Sequence, residues 1–315
     1  MGFLSALLNS LPGAVAQGLV WGIMAIGVYI TFRILDVADL TVDGSIATGG
    51  AVVVMLIRGG CNVWLALLCA FLAGMLAGMV TGLFHTLCGI PAILSGILTQ
   101  LSLYSINLRI LGAANQAISV DKYDLLVSQR FVRMLDGSNP LVLLVIISVV
   151  VIAILYWFFG TELGSALRAT GSNENMARAQ GINTNFTKVL GLMLSNGMVA
   201  VAGGLLAQYQ GFADVKMGQG AIVIGLAAVI IGEVIFGRIF RNFALKLLSV
   251  SLGAVIYYMV IQIVLRLGLN TDDLKLLTAV VVAIFLAVPY WKQKYFHGKS
   301  RTNAVRAEIG GSKNA

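Results

Sequence analysis

One polar stretch, GTELGSALRATGSNENMARAQGINTNFTK at residues 160–188, separates an apolar run of about 20 residues ending at Phe159 from another opening at Val189. Runs of that length cross the hydrocarbon core of a bilayer as helices, so the polar stretch must join two membrane spans outside it. Within it, Leu163, Leu167, Met176, Ala177 and Ile182 are spaced as on short amphipathic helices, interrupted at Gly171 and stopped at Gly181. Ser172 or Asn173 can cap the second helix, and Glu174 in its first turn suits the positive end of the helix dipole. Such helices either offer a surface to something outside the bilayer or form a plain solvated connector, and spacing alone does not separate the two.

The chain as a whole cannot keep a soluble surface wet: 59% of its 315 residues are apolar and 11% charged, at a mean hydropathy of +0.93. The expected fold is all-α, a polytopic membrane bundle. Nine spans are expected, centred near Met24, Val52, Ala73, Leu101, Val150, Ala200, Ala228, Tyr257 and Val282. The second is the weakest, because residues 41–57 are few and rich in Gly, Ser and Thr, and it reads as tilted or partly re-entrant. No long polar linker divides residues 1–291, so they form one transmembrane domain. Residues 292–315 are basic, with Gly, Ser and Asn, and read as a disordered tail. Gly74, Gly78 and Gly82 recur every fourth residue and make a ridgeless face for close helix packing.

Charge fixes an expected orientation. With residues 160–188 in the cytoplasm, 13 of the 21 Lys and Arg fall on that side, as the positive-inside rule requires. The tail is then cytoplasmic and Met1 lies outside. Trp64, Trp157 and Trp291 fall near span ends, where indole rings settle. The net charge of +8 follows this topology and does not form a nucleic-acid-binding patch. The first basic residue is Arg33, so the start has no cleavable signal pattern. Residues 112–139, the longest outer segment, read as a surface loop with one short amphipathic helix or as a docking surface for an external protein.

Cys61, Cys69 and Cys88 show no CxxC spacing and read as small buried apolar residues. His85 and His297 are too few for metal or triad chemistry. Gly298-Lys299-Ser300 lacks the glycine of a phosphate loop five positions earlier, where Gln293 stands. No catalytic residue, metal site or cofactor is expected in this chain.

The polar stretch GSALRATGSNENMARAQGIN, followed by a lysine and a Gly/Ser/Ala-rich span, resembles the coupling loop of ABC importer permeases of the branched-chain amino acid and ribose family. Asp39-Leu40-Thr41-Val42-Asp43-Gly44-Ser45, Gly89-Ile90-Pro91-Ala92-Ile93-Leu94 and Leu226-Ala227-Ala228-Val229-Ile230-Ile231-Gly232 match in the expected order. Leu103-Tyr104-Ser105-Ile106-Asn107-Leu108-Arg109 and Gly232-Glu233-Val234-Ile235-Phe236-Gly237 look more like a tryptophan- or tyrosine-uptake subgroup. The resemblance covers residues 14–289. It implies a cell-membrane permease, paired with a second copy, with ATPase subunits that bind ATP and Mg²⁺ below and a substrate-binding protein above. It also implies that the ATPase is met by Gly164, Leu167, Arg168, Ala169, Gly171, Asn173, Glu174, Ala177, Arg178, Gly181 and Ile182. Arg168 and Arg178 would make polar contacts, Leu167, Ala169, Ala177 and Ile182 would pack in a groove, and Gly171 and Gly181 would set the angles between segments.

Gln100, Tyr104 and Asn107 stripe one helix, and Ser195, Asn196, Tyr258 and Gln262 supply similar groups elsewhere. They either bond neighbouring helices or share a translocation path for a small polar solute, and the subgroup resemblance implies an aromatic amino acid as the leading candidate. Glu233, a lone carboxylate in an apolar run, needs a partner such as Arg238 or Arg241, or serves as a gate. Two rivals remain. An ion-coupled secondary transporter would need no docking loop, and shows no inverted repeat here. A Mg²⁺-dependent prenyltransferase would use Asp36, Asp39 and Asp43 on one helix face, but lacks a second acidic cluster on that side.

Overall fold

The computed structural model describes residues 3–119, 121–131, 140–237 and 239–266, with residues 276, 278–284 and 287, and residues 3–9 as backbone only. The chain divides into two units, Met1–Leu269 and Asn270–Ala315. The described part of the second is helical at 278–284. The expected ninth span falls there, and the tail from residue 292 lies outside the described residues.

The first unit is built from α1 (Phe3–Tyr29), α2 (Val42–Arg58), α3 (Val63–Thr86), α4 (Ala92–Leu111), α5 (Pro140–Gly160), α6 (Glu162–Ser172), α7 (Glu174–Ala179), α8 (Thr184–Gln210), α9 (Ala221–Phe236) and α10 (Phe243–Arg266). Five helices are long and apolar enough to cross a membrane: Ser10–Ile34, Val63–Thr86, Pro140–Gly160, Thr184–Gln210 and Phe243–Arg266. The expected count of nine therefore stands at five among the described residues. The remaining apolar helices fall short for physical reasons. α4 carries Gln100, Asn107 and Arg109, while α2 and α9, with 17 and 16 residues, reach about 25 Å.

The central element is α8, 27 residues or about 40 Å long. α3 lies antiparallel to it: a methyl group added at Gly74, Gly78 or Gly82 would stand 2.3 Å from Asn196 O, 2.2 Å from Leu192 O and 2.9 Å from Val189 Cα. The four-residue glycine spacing thus serves backbone-to-backbone packing within the chain. On another side, Asn196, near the midpoint of α8, accepts from Ser45 Oγ at 2.6 Å and donates Nδ2 to Asp39 Oδ2 at 2.6 Å. α2 therefore begins half-way along α8 and runs only to the end away from α6 and α7.

α9 is the complementary half. Its first backbone N–H groups, at Gly220 and Ile222, donate to Asp43 at 2.9 and 3.0 Å, so it starts at the same depth and runs the opposite way. Two irregular segments make these half-helices possible. α1 ends in a π-helical turn at Ile30–Ile34, a device that inserts a residue into the helical ladder. Asp36 then takes φ +56°, and residues 36–41 return into the bundle. From the other end, residues 215–220 descend to Asp43.

A short antiparallel sheet, β1 (Asn115–Ala117) with β2 (Phe212–Asp214), closes that other end and qualifies the all-α expectation. It pairs the backbone of two loops that leave the bundle side by side, and Gln208 Oε1 accepts Leu126 N at 3.1 Å beside it. The amphipathic helix expected in residues 112–139 reduces to a 3₁₀ turn at Gln129–Phe131 among the described residues.

Candidate functional site

Residues 160–188 fold as the sequence spacing suggests, with three successive caps. Thr161 Oγ1 accepts Gly164 N at 3.4 Å, Asn173 Oδ1 accepts Met176 N at 3.0 Å, and Asn183 Oδ1 accepts Phe186 N at 3.1 Å. Each replaces one of the backbone partners that a helix start lacks. Asn173, not Ser172, caps α7, and α6 continues through Gly171 to Ser172.

That continuation corrects the expected role of Gly171. It is no hinge: a methyl group there would lie 1.8 Å from Ile34 O, so the glycine lets α6 press on the end of α1. Gly164 does the same against α5, with Phe158 O at 2.3 Å. Gly181, at φ +82°, is the residue that turns the chain between α7 and α8. The platform is thus fixed to three spans at once.

Several side chains expected to meet a partner are engaged internally. Leu167 is 0% exposed, in the core with Ile34, Leu35, Phe159, Leu192 and Leu247, and Ala177 is also buried. They sit on the inner side of their helices, because that stripe must bury first against the bundle. Arg168 donates Nη2 to Phe159 O at 2.5 Å and lies over the Phe243 ring. It sits at the carbonyl end of α5, where a cation suits the helix dipole, and reaches across to the Phe243 ring of α10. Arg178 Nη2 meets Glu174 Oε1 at 2.7 Å and Lys188 Nζ meets Oε2 at 2.8 Å, while Thr184 Oγ1 donates to Oε1 at 3.3 Å. The Lys188 hydrogen bond, then the positive charges of Lys188 and Arg178, hold the Glu174 carboxyl below the usual glutamate range against the opposing effect of partial burial. Ala169 and Ile182 are half-buried, and Asn173 and Gly181 exposed. The apolar side chains left open are Met176 at 64%, Phe186 at 53% and Leu163 at 48%. Phe186 is new to the site; it stands among polar residues in the first turn of α8, where it donates its N–H to the Asn183 cap.

The three aspartates do not share a helix face, since residues 36–41 are irregular. Asp36 is exposed, Asp39 is buried against Asn196, and Asp43 caps α9. Among the described residues no group of three acidic, His or Cys side chains could hold a metal, so the arrangement a prenyltransferase needs does not assemble from them. Glu233 pairs with Arg33 at 2.9 Å, a partner 200 positions away that was not expected, while of the expected partners Arg238 lies outside the described residues.

With this geometry described, comparison with known proteins identifies its class. Residues 11–289 match the family described as branched-chain amino acid transport system / permease component. The chain belongs to that family. It is an ABC importer permease of the branched-chain amino acid and sugar group, a transport subunit and not an enzyme. A tyrosine transport system permease protein of Clostridioides difficile is 38% identical over 89% of this chain and 91% of its own length. An uncharacterised protein of Rickettsia prowazekii is 36% identical over 89% and 98%. A fructose import permease of Bifidobacterium longum is 24% identical over 78% and 68%. Among solved structures, PsaBC from Streptococcus pneumoniae in complex with Fab aligns with a TM-score of 0.40 at 18% identity, covering 83% of this chain and 91% of that one.

The permease's expected pathway residues do not form one stripe. Ser195 Oγ donates to Gly27 O at 2.7 Å, tying α8 to α1, and Asn196 closes the Asp39 network. Tyr258 packs on Trp21, ring centroids 5.8 Å apart, inside the α1–α10 contact. Gln262 is half-buried and Tyr104 exposed. Gln100 and Asn107 approach α2 at Gly44, as Asn196 does at Ser45.

Proposed function

We propose that this permease imports an amino acid, an aromatic one leading, across the cell membrane as a homodimer, with ATPase subunits on the α6–α7 platform and a substrate-binding protein at the opposite end. ATP and Mg²⁺ belong to the ATPase. Residues 160–188 and the tail face the cytoplasm, and Met1 lies outside. The observation that carries the reading is the platform itself: two capped helices jammed against α1, α5 and α8, with Met176 open to solvent. Motion imposed there passes as rigid-body displacement into three spans, because packed contacts of this kind shift as units. The 38% identity to a tyrosine transport permease favours an aromatic amino acid over the sugar of the more distant relative.

Docking therefore rests on Met176, Ala179 and Gln180, with Asn173 and Gly181 beside them, while Glu174, Arg178 and Arg168 shape the platform. Coexpression with the ATPase encoded nearest to the permease, followed by pull-down from detergent, tests this. Capture by wild type and loss with Met176→Arg is the expected result. Capture undiminished in that variant would remove the docking face, and no ATPase with wild type would remove the importer reading.

A further inference from the structure

Two carboxylates lie near the middle of the bundle, and they are not equivalent. Asp39 is 2% exposed, its oxygens facing Thr41 N and Asn196 Nδ2. Asp43 is half-buried, and its Oδ2 and Oδ1 accept from Gly220 N and Ile222 N. None of the ion pairs among the described residues includes it. A carboxylate offers about four acceptor positions, so Asp43 retains room for a further donor.

Its surroundings cannot face lipid. Gln219 and Gly220 are exposed beside it, on backbone that is not helical, at the level of the α8 midpoint. Irregular backbone at membrane depth persists only where protein covers it or water lines it, since each unpaired group in hydrocarbon costs several kcal/mol. A second polar group is incomplete one residue along α2. Asn107, fully buried, donates Nδ2 to Gly44 O at 3.4 Å, while its Oδ1 has no hydrogen-bond partner. The unfilled positions, at Asp43 and at Asn107 Oδ1, are both acceptors. The α9 dipole is already answered by Asp43, so an incoming anion would meet a carboxylate, and an incoming ammonium would find both a charge and acceptors.

Resting on the importer reading above, we infer that Asp43 meets the ammonium group of the transported solute in a water-lined path, so that the permease favours solutes carrying a primary amine. The contact is brief by construction. Backbone donors at Gly220, Ala221 and Ile222 already share the charge, and a path that held its cargo tightly would not release it.

The test uses the permease with its ATPase in liposomes, its substrate-binding protein added outside for the uptake readings, Cys61, Cys69 and Cys88 replaced by Ser, and Gln219→Cys introduced. Two small thiol reagents of similar size are applied, one a quaternary ammonium and one a sulfonate. Relative to free cysteine, the cationic reagent is expected to react about tenfold faster than the anionic one, the effect of one charge in a partly screened crevice. Asp43→Asn, whose single carbonyl oxygen keeps one of the backbone N–H bonds to α9, brings the ratio to within about twofold of free cysteine. No reaction with either reagent, or a free-cysteine ratio with Asp43 present, overturns the inference without reference to the variant. Radiolabelled tyrosine uptake should fall about tenfold in Asp43→Asn, and unchanged uptake removes the solute assignment. Assemblies that capture an ATPase yet take up a labelled sugar in place of tyrosine also overturn it. Assemblies that capture no ATPase overturn the importer reading instead, and the thiol ratios still decide the charge at Asp43.

Discussion

The mid-bundle network and the α6–α7 platform each gather polar groups around one carboxyl, and they do so by opposite means. At mid-bundle, Asp39 is held by neutral groups, Thr41 N at 2.9 Å and Asn196 at 2.6 Å, and the network runs on through Ser45 to α2. Thr41 Oγ1 continues it to Thr81 Oγ1 at 2.7 Å, and Thr81 donates to Thr99 at 2.9 Å, joining α3 and α4. On the platform, Glu174 is held by two full cations, yet its side chain is 34% exposed and that of Arg178 57%. The platform pairs look stronger and contribute less. Water and salt screen them to about 0–1 kcal/mol each, whereas a buried polar group left without its partner costs about 1–3 kcal/mol, more when charged.

The widest separation of the two regions comes from Asn196→Leu. It removes the amide that serves Asp39 and Ser45 together, and leaves both groups buried with one partner fewer. A loss of about 3 kcal/mol is expected, read as a large fall in the thermal midpoint of the purified permease. A fall no greater than that of a platform charge variant would break the comparison.

Next in size is Gly171→Val, which places side-chain atoms against the Ile34 carbonyl. Overpacking of this kind costs about 1–3 kcal/mol, and α6 can relieve it only by lifting from α1. The expected signature is faster proteolysis within residues 160–188 and lost ATPase capture, with normal abundance in the membrane. Unchanged proteolysis and capture would show that the platform tolerates slack, and that its firm seating on α1 does not matter.

The same contrast explains what could be read from the sequence. The platform was legible because its determinants are local: caps, a turn-forming Gly181 and an apolar stripe all lie within 29 residues. Even there, periodicity found the stripe but not its direction, and Leu167 and Ala177 proved to face the bundle. Gly74, Gly78 and Gly82 announced close packing but not their partner α8. The mid-bundle site was scarcely legible. Asp39 and Asn196 are 157 positions apart, Asp43 and Ile222 179 apart, and residues 36–41 carry no period that signals a return into the membrane. The β1–β2 pairing was hidden for the same reason, since three-residue strands have too short a pattern to detect.

The smallest effect, and the one that sharpens the comparison most, is the pH dependence of Glu174. Its carboxyl is held below the ordinary value of 4.5, first by the Lys188 hydrogen bond. A group with a depressed pKa in the folded state contributes stability above its unfolded pKa and loses it as pH falls through the folded one. Glu174→Gln should therefore lower the thermal midpoint modestly at pH 7, a loss of stability of no more than about 1 kcal/mol after allowing for its exposure. The difference from wild type should shrink as pH falls below the ordinary glutamate range and through the depressed folded-state value, where both side chains become neutral, and shrink at pH 7 in about 1 M salt, where the Debye length is near 3 Å. Asn196→Leu should show no such salt dependence, because its partners Asp39 and Ser45 are buried away from the ions of the solution. A Glu174→Gln deficit that persisted in acid and in salt would mean the platform is held by packing around Glu174, and that its ion pairs are incidental to the way α7 is seated.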